Sequence, residues 1–258
     1  MRRFENAFAI ITGAGSGIGE ATAKRLAHEG ANVLLVGRTL SKLERVAEEI
    51  KQKTNQQAYT FTCDVTSEEQ VEKLKAYVKE EFGNVHVLIN NAGASAYSRI
   101  MEMPYDQWQS IIAVNLHSVF LVSKAIGKIM IEAAKNDEEK RDRAIVNVAS
   151  LSGHKPGLMF PHYSSAKAAV MNLTKSLASD LAKYQIRVNS VSPGFAETPL
   201  TEKGLQNESF VKSIQRHTAL KRVAEPEEIA SVIAFAASTD ASYMTGSDIL
   251  VDGGWLIT

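Results

Sequence analysis

The fold is decided by ITGAGSGIGEATAKRLAHEGANVLLVGR, residues 11–38, where an apolar run meets a glycine-rich loop and then a helical pattern. Glycines occupy alternate positions of the loop, at Gly13, Gly15, Gly17 and Gly19. The spacing is T-G-x-x-x-G-x-G from Thr12 to Gly19. It is not G-x-G-x-x-G, whose third glycine would fall on Ile18 or Glu20. The pattern predicts a strand that turns sharply into a helix.

The same alternation of short apolar runs and longer helical stretches continues along the chain. The predicted strands are Phe8–Thr12, Asn32–Gly37, Ala58–Cys63, His86–Asn90, Ala144–Ala149, Arg187–Ser192 and Ser247–Val251. The predicted helices are Ile18–Glu29, Leu40–Lys53, Ser67–Phe82, Tyr105–Ala134, His162–Lys183 and Pro226–Ser238. Ser67 and Gln70 have capping-box spacing, and Pro226 suits a first helical turn. Strands that alternate with helices predict βαβ units, a parallel sheet and the α/β class.

No linker, repeat or low-complexity tract divides the 258 residues, which predicts one domain over 1–258. The segment at about 199–218, between the sixth strand and the last helix, is expected to lie above the sheet as a lid. The charged loop 136–143 is interpreted as solvated, with partner binding as the alternative.

Composition excludes several classes of protein. The 29 Lys and Arg residues equal the 29 Asp and Glu residues, which argues against nucleic acid or an anionic membrane as a partner. Cys63 is the only cysteine, so no internal disulfide forms. No uninterrupted apolar stretch is expected to span a membrane. The chain is therefore predicted to be cytoplasmic.

The position of the glycine loop favours a phosphate ligand. Ligands of parallel sheets lie beyond the carboxyl ends of the strands, and the first predicted strand ends at Thr12. Missing side chains let the backbone approach a pyrophosphate, and the helix N-terminus supplies free N–H groups. The alternative is a tight turn without a ligand, but four alternate glycines favour the dinucleotide.

The end of the second predicted strand bears on the choice of dinucleotide. Gly37 stands where an acid would hold the ribose 2′-hydroxyl of NAD, and Arg38 follows it. A guanidinium can pair with a 2′-phosphate, so NADP(H) is preferred and NAD(H) remains possible. The alternative is an ordinary solvated arginine.

Further motifs extend these predictions over nearly the whole chain. They are Asp64 after the third strand, NNAG at 90–93, Asn115 in VNLHSVF, Ser150 in IVNVAS, YSSAK at 163–167, PGFAET at 193–198 and GSDILVDGG at 246–254. In their order and spacing the chain resembles the short-chain dehydrogenase/reductase family. The resemblance implies a Rossmann-type, doubly wound, seven-stranded parallel sheet with helices on both faces.

The resemblance also implies a catalytic set of Asn115, Ser150, Tyr163 and Lys167. Tyr163 and Lys167 are four residues apart, so both project from one helix face. An ammonium beside a phenol favours the phenolate, although a shift from about 10 to about 7 would need a desolvated site with oxidised nicotinamide nearby. Ser150 would orient the substrate oxygen, with Ser152 as competitor. Asn115 would hold a proton-relay water; the alternative is backbone hydrogen bonding within a helix.

Cofactor contacts carry over position by position from the family pattern. The loop residues would surround the pyrophosphate and adenosine ribose, Asp64 and Val65 would meet the adenine, and Lys167 would bond the nicotinamide ribose. The full set is Gly13, Ala14, Gly15, Ser16, Gly17, Ile18, Gly19, Arg38, Asp64, Val65, Asn91, Ala92, Gly93, Tyr163, Lys167, Pro193, Gly194, Ala196 and Thr198.

The predicted activity is hydride transfer between NADP(H) and a carbonyl or alcohol, with Tyr163 as general acid/base and no metal. The largely apolar predicted pocket wall does not choose among ketones, sugar-like polyols and acyl thioesters. The alternatives are a 3-oxoacyl-(acyl-carrier-protein) reductase, weakened because Tyr184 stands where a second basic residue is expected beside Arg141, and a sugar or polyol dehydrogenase. A catalytically silent dinucleotide-binding regulator is the non-enzyme alternative. The resemblance implies a homotetramer.

Overall fold

The predicted strands pair into a seven-stranded parallel sheet in a computed structural model that describes residues 2–258. The strands are β1 (Phe8–Thr12), β2 (Asn32–Gly37), β3 (Ala58–Thr62), β4 (Val87–Asn90), β5 (Arg143–Val148), β6 (Ile186–Pro193) and β7 (Asp248–Val251). Their order is β3-β2-β1-β4-β5-β6-β7, so the direction of winding reverses between β1 and β4. The predicted sheet is confirmed, and the reversal fixes the edge where a ligand site is expected.

Nine α-helices connect the strands in residues 2–258. They are α1 (Gly17–His28), α2 (Leu40–Lys53), α3 (Glu68–Glu81), α4 (Tyr105–Ile112), α5 (Ser118–Lys135), α6 (Pro161–Leu181), α7 (Glu202–Leu205), α8 (Glu208–His217) and α9 (Pro226–Ala237). Alternate residues of β1 point to opposite faces: Ile11 packs in the cluster that includes α1, α2 and α9, and Ile10 in the one that includes α3 and α5. Helices therefore cover both faces, as predicted.

Two predicted helices differ in detail. Ser67 Oγ accepts from the Gln70 amide at 3.3 Å, but the Gln70 side chain accepts from the Asp64 amide, so the predicted capping box is only half formed. The reciprocal pair occurs at Glu225 and Glu228, before α9.

The long helix predicted from residue 105 contains a π-helical turn, Ala113–His117, between α4 and α5. This stretch bears on the expectation that no apolar stretch spans a membrane. Tyr105–Lys135 is long and apolar enough to cross a membrane, with a mean hydropathy of 1.5 over its best 18 residues. Half of that window is buried in the protein, and Val122 and Ile126 of α5 pack on the sheet. We interpret it as a core helix.

The 199–218 segment folds into α7 and α8. Ile214 of α8 is fully buried, and the ring of Phe210 lies 5.4 Å from that of Phe195 in an edge-to-face arrangement. These contacts hold the segment over the loop that follows β6, at the carboxyl edge of the sheet.

Candidate active site

A cleft of about 550 Å³ opens at the carboxyl ends of β1, β4, β5 and β6. All four residues of the predicted catalytic set lie in its wall. So do the predicted cofactor residues Gly13, Gly15, Ser16, Gly17, Ile18, Arg38, Asp64, Val65, Asn91, Ala92, Gly93, Pro193, Gly194, Ala196 and Thr198. Ala14 and Gly19 are buried behind the wall. The cleft thus brings together residues from nearly the whole length of the chain.

The glycines of the first loop serve different purposes. Gly13 and Gly17 have φ values of +66° and +55°, which side chains rarely adopt. A Cβ on Gly19 would lie 2.3 Å from the Gly13 carbonyl oxygen, so Gly19 allows α1 to pack against the loop. The Ser16 side chain caps no amide of α1. The helix N-terminus therefore faces the cleft without a side-chain cap, as an anion site requires.

Thr12 holds the two halves of the switch point together, a role that sequence reasoning missed. Its hydroxyl donates to the Ile89 carbonyl at 3.3 Å and accepts from the amides of Asn91 and Ala92 at 3.0 and 3.1 Å. The threonine of T-G-x-x-x-G-x-G thus fixes the loop after β4 against the loop after β1. A polar residue that ends a buried strand was the available signal.

Tyr163 and Lys167 project into the cleft from the first turns of α6, and Ser150 follows β5. Lys167 is only 4% exposed; its Nζ donates to the Val148 carbonyl at 2.7 Å and lies 5.6 Å from the Tyr163 ring centroid. Ser150 Oγ accepts from the Ser152 amide at 3.1 Å, so Ser152 supports Ser150 through its backbone. These contacts fix a phenol, an ammonium and a hydroxyl around one corner of the cleft.

Asn115 sits in the π-helical turn, a distortion that often marks functional sites. Its Nδ2 donates to the carbonyls of Ala94 and Ile111 at 2.7 and 2.9 Å. Backbone bonding, the alternative interpretation of this residue, is therefore present. However, Oδ1 is buried and has no hydrogen-bond partner within residues 2–258. Asn115 Oδ1 and Lys167 Nζ both lie close to the position that a Cβ on Gly93 would occupy. A small polar molecule, such as a water, could therefore form hydrogen bonds with both atoms.

Burial controls the protonation of Tyr163 and Lys167. It lowers the pKa of Lys167 from 10.5 to about 8. Burial also raises the pKa of Tyr163, and the Ser150 hydroxyl offsets this only in part. In the protein alone, the expected lowering of the phenol pKa is absent, because desolvation outweighs the Ser150 hydrogen bond. Tyr163 is therefore a neutral proton donor at neutral pH.

Comparisons with known proteins agree with this geometry. The family model described as enoyl-(acyl carrier protein) reductase matches residues 13–256. A 3-oxoacyl-(acyl-carrier-protein) reductase from Thermotoga maritima is 37% identical over 263 residues, covering 99% of this chain and 100% of the relative. The structure of a short-chain type dehydrogenase/reductase from Mycobacterium marinum matches with a TM-score of 0.92 at 35% identity, covering 99% of this chain and 97% of that one. The chain belongs to the short-chain dehydrogenase/reductase family.

A family member with a bound ligand offers a further comparison. L-sorbose reductase from Gluconobacter frateurii, solved with NADPH and L-sorbose, is 32% identical with a TM-score of 0.90, and each chain is fully covered. Like its relatives, this short-chain dehydrogenase/reductase is an oxidoreductase that uses NAD(P) to interconvert alcohol and carbonyl groups.

The structure of the present protein itself indicates that its cleft fits a dinucleotide. The uncapped N-terminus of α1 suits a pyrophosphate, and the unpartnered Asn115 Oδ1 marks the opposite end of the cleft. Sequence reasoning missed several wall residues, including Thr39, Lys42, Ala94 and Val114, because nothing in their residue types distinguishes them from ordinary helix and loop positions. No group of three metal-ligating side chains occurs within residues 2–258.

Cations on α1, on α2 and directly after β2 differ in their pairing. Lys24 bonds Glu20 and Glu49 at 2.6 Å, and Arg45 bonds the same two carboxylates. Arg38 and Lys42 line the cleft and form no ion pair in the described part of the chain. The pKa of Asp64 is lowered mainly by two hydrogen bonds from Thr66, and the positive charge of Arg38 makes a smaller contribution. Two cations therefore remain available to an anionic ligand.

Proposed function

We propose that this protein reduces a small-molecule ketone with NADPH, or oxidises the matching alcohol with NADP, and that Tyr163 is the general acid/base. One observation carries the proposal. A buried lysine, fixed by the Val148 carbonyl, lies beside a partly buried phenol and a serine hydroxyl in the family's cleft. Burial of an unpaired ammonium destabilises a fold, so a catalytic role accounts for it better than a structural one.

The protein side chains divide the chemistry between them. Bound NADPH would supply the hydride. The Tyr163 phenol donates its proton to the substrate oxygen, while the Ser150 hydroxyl donates a hydrogen bond to the same oxygen and orients it. Because its pKa is raised, the Tyr163 phenol is protonated at neutral pH, which is the state that can donate a proton to a ketone oxygen.

Lys167 and Asn115 act around Tyr163. The Lys167 ammonium stabilises the phenolate left after proton transfer. Because Asn115 Oδ1 lacks a protein partner, we assign it a water that passes protons to Lys167. Lys167 would also bond the nicotinamide ribose, as the family resemblance implies.

The cofactor contacts follow the lining of the cleft. Gly13–Gly17 and Ile18 would hold the pyrophosphate and adenosine ribose, Asp64 and Val65 the adenine, and Asn91–Gly93 the adenosine side. Residues 193–198 would approach the nicotinamide. Arg38 and Lys42, neither of which forms a salt bridge within residues 2–258, support a preference for NADPH through its 2′-phosphate. The 199–218 segment is proposed as a substrate lid of the single domain 1–258.

Two specific activities within this function are supported by relatives. The Thermotoga maritima relative is named a 3-oxoacyl-(acyl-carrier-protein) reductase, and the Gluconobacter frateurii relative reduces L-sorbose by its name. Arg141, expected to read an acyl carrier, pairs with Asp137 and Glu139 at 3.4 Å, which counts against the first activity.

The function is tested by NADPH oxidation with a 3-oxoacyl thioester and with L-sorbose, repeated with NADH and with Tyr163→Phe. We expect Tyr163→Phe to lower kcat at least about a hundredfold, the usual contribution of acid–base catalysis, and to leave NADPH affinity unchanged. NADPH should bind more tightly than NADH. The exposed-site control Tyr243→Phe should behave as wild type. Binding of NADPH without turnover of any substrate would instead favour the regulator, and turnover unaffected by Tyr163→Phe would overturn Tyr163 as the general acid/base.

Assembly and location complete the proposal. A homotetramer is supported by exposed apolar side chains, among them Tyr105 and Phe120 on α4 and α5, and analytical ultracentrifugation tests it. A cytoplasmic location is supported by the lack of any disulfide and by the buried Cys63. The balanced charge supports the absence of nucleic acid and membrane partners.

A further inference from the structure

The two halves of the cleft differ in charge. Four charged side chains line it in residues 2–258, and three of them (Arg38, Lys42 and Asp64) follow β2 and β3 at the adenosine end. The fourth is Lys167, whose Nζ is committed to the Val148 carbonyl and to Tyr163. The substrate half, on the other side of Tyr163, is lined by Ser95, Tyr97, Leu151, Ser152, Phe160, Phe195, Leu200 and Phe210. No charged side chain of residues 2–258 lines this half, although the Lys155 Nζ lies 5.5 Å from the centroid of the Trp255 ring, next to Phe195.

Aromatic rings form both walls of the substrate half. On one side the ring of Phe160 lies 6.3 Å from that of Tyr163 and 6.1 Å from that of Tyr97, both edge to face. On the other side Phe195 contacts Phe210 at 5.4 Å and Trp255 at 4.9 Å. The apolar surface begins at the catalytic ring itself, so a group next to the reacting carbonyl would lie against aromatic side chains.

The apolar surface continues out of the cleft. The backbone of Ser98 donates to the Met159 carbonyl at 2.9 Å, which joins the loop after β4 to the loop before α6. Next to this junction Met101 and Leu158 are 95% and 86% exposed. A substrate longer than a few carbons would therefore meet further apolar side chains beyond Tyr97 and Phe160.

Besides Ser150, this half of the cleft offers a polyol the hydroxyls of Ser95, Tyr97 and Ser152. Ser150 is required at the reacting oxygen, and the Thr201 hydroxyl already donates to the Ala196 carbonyl at 2.5 Å. A ketose carries a hydroxyl on every carbon except the carbonyl carbon. Some of these hydroxyls would lie without hydrogen-bond partners against Phe160 and Phe195, which opposes binding. A carboxylate there would be desolvated without a counter-ion.

From the charge, the walls and the hydroxyl supply, we infer that the substrate is an uncharged ketone, or its secondary alcohol, that carries an aryl or alkyl group. This inference rests on the proposed function. The ketone carbon accepts the hydride from NADPH and its oxygen accepts the Tyr163 proton, which gives the secondary alcohol and NADP⁺.

Three probes that differ in charge and polarity test the inference: ethyl 4-oxo-4-phenylbutanoate, the free acid 4-oxo-4-phenylbutanoate, and L-sorbose. The ester and acid share the ketone and the ring and differ in charge. We expect kcat/KM for the ester to exceed that for the acid by about a hundredfold, since the acid is desolvated without a partner, and to exceed that for L-sorbose. Faster turnover of the acid or of L-sorbose would overturn the substrate class and leave the oxidoreductase function standing. Failure of every probe would overturn both.

A charge introduced at the mouth of the cleft provides a second, independent readout. Leu200 lines the cleft and is 52% exposed, so Leu200→Arg should be tolerated and should supply the missing cation. We expect it to reduce the ester-to-acid ratio of kcat/KM at least about tenfold, as one new ion pair allows. Leu220→Arg is the matched control, because Leu220 is also exposed but does not line the cleft. A ratio unchanged by Leu200→Arg, or changed equally by both, would overturn the assignment.

Discussion

At the scale of single residues, we expect the buried Lys167 to lower the stability of the fold, although its ammonium serves the proposed catalysis. Burial lowers its pKa from 10.5 to about 8, so below pH 8 the folded protein holds an ammonium that costs about 3 kcal/mol to bury. Replacing it by an apolar side chain removes this cost and also the hydrogen bond to Val148, worth about 1 kcal/mol. We predict that Lys167→Met abolishes turnover yet unfolds at higher urea at pH 7, by about 2 kcal/mol.

The sign of the pH dependence makes this prediction specific. Between about pH 8 and pH 10.5 the unfolded chain binds the Lys167 proton and the folded protein does not, so wild-type stability gains from this group as pH rises. The advantage of Lys167→Met should therefore shrink over that window. Lys175→Met, an exposed position on the same helix, should show no such trend. The prediction would be contradicted if Lys167→Met were less stable than wild type at pH 7. It would also be contradicted if the difference in unfolding free energy between the two proteins did not change with pH.

Residue types and spacing were enough to predict which residues meet in the cleft, but not their environment. Tyr163, Lys167 and Ser150 share a cleft wall, as their order along the chain implied. The direction of the Tyr163 pKa shift was beyond sequence reasoning because it depends on burial, which is a property of the assembled fold. Whether Lys42 is free to bind an anionic ligand could not be predicted either. It depends on the fold, in which Glu20 and Glu49 form ion pairs with Lys24 and Arg45.

At the scale of elements, His86 joins β1 to β4 at the end of the sheet away from the cleft. Its Nδ1 accepts from the Phe8 amide at 3.0 Å, which requires neutral imidazole. Burial, with Arg143 and Arg141 nearby, lowers the pKa of His86 from 6.5 to about 4, and Asp137 opposes this only weakly. The unfolded chain therefore gains a proton as pH falls through 6.5 while the folded protein does not, and stability is lost down to pH 4.

His86→Asn keeps an acceptor for the Phe8 amide but does not titrate. We predict that wild type loses about 3 kcal/mol more stability than His86→Asn between pH 6.5 and pH 4, measured by urea unfolding. His28→Asn, at an exposed histidine, should follow the wild-type curve. Parallel curves for wild type and His86→Asn would refute the assignment.

Elements with a strong period were predictable, whereas those formed by tertiary contacts were not. All seven strands lie within one or two residues of their predicted bounds, because continuous apolar runs are typical of buried parallel strands. Helix α8 was not predicted, because it is held in place by tertiary contacts: Phe210 packs against Phe195, and Ile214 is fully buried. The π-helical turn around Asn115 was also missed, since its sequence reads as uninterrupted helix.

At the scale of the whole molecule, residues 255–258 connect the end of the sheet back to α8. The ring of Trp255 lies 4.9 Å from that of Phe195 and 5.5 Å from that of His217, at the end of α8. The Thr258 hydroxyl also donates to the His217 carbonyl. These contacts hold α8 over the substrate half of the cleft but touch no residue of the glycine loop, so substrate and cofactor binding should respond differently to their loss.

We predict that Trp255→Ala raises KM for the ketone about tenfold, equivalent to about 1.4 kcal/mol, and leaves the NADPH dissociation constant within about twofold of wild type. Steady-state kinetics gives KM, and NADPH fluorescence titration gives the dissociation constant. Tyr243→Ala removes an aromatic ring that is fully exposed and should change neither value. An equal loss of ketone and NADPH binding would mean that residues 255–258 support the fold as a whole. A KM that does not change would mean that α8 keeps its position over the cleft through Phe210 and Ile214 alone.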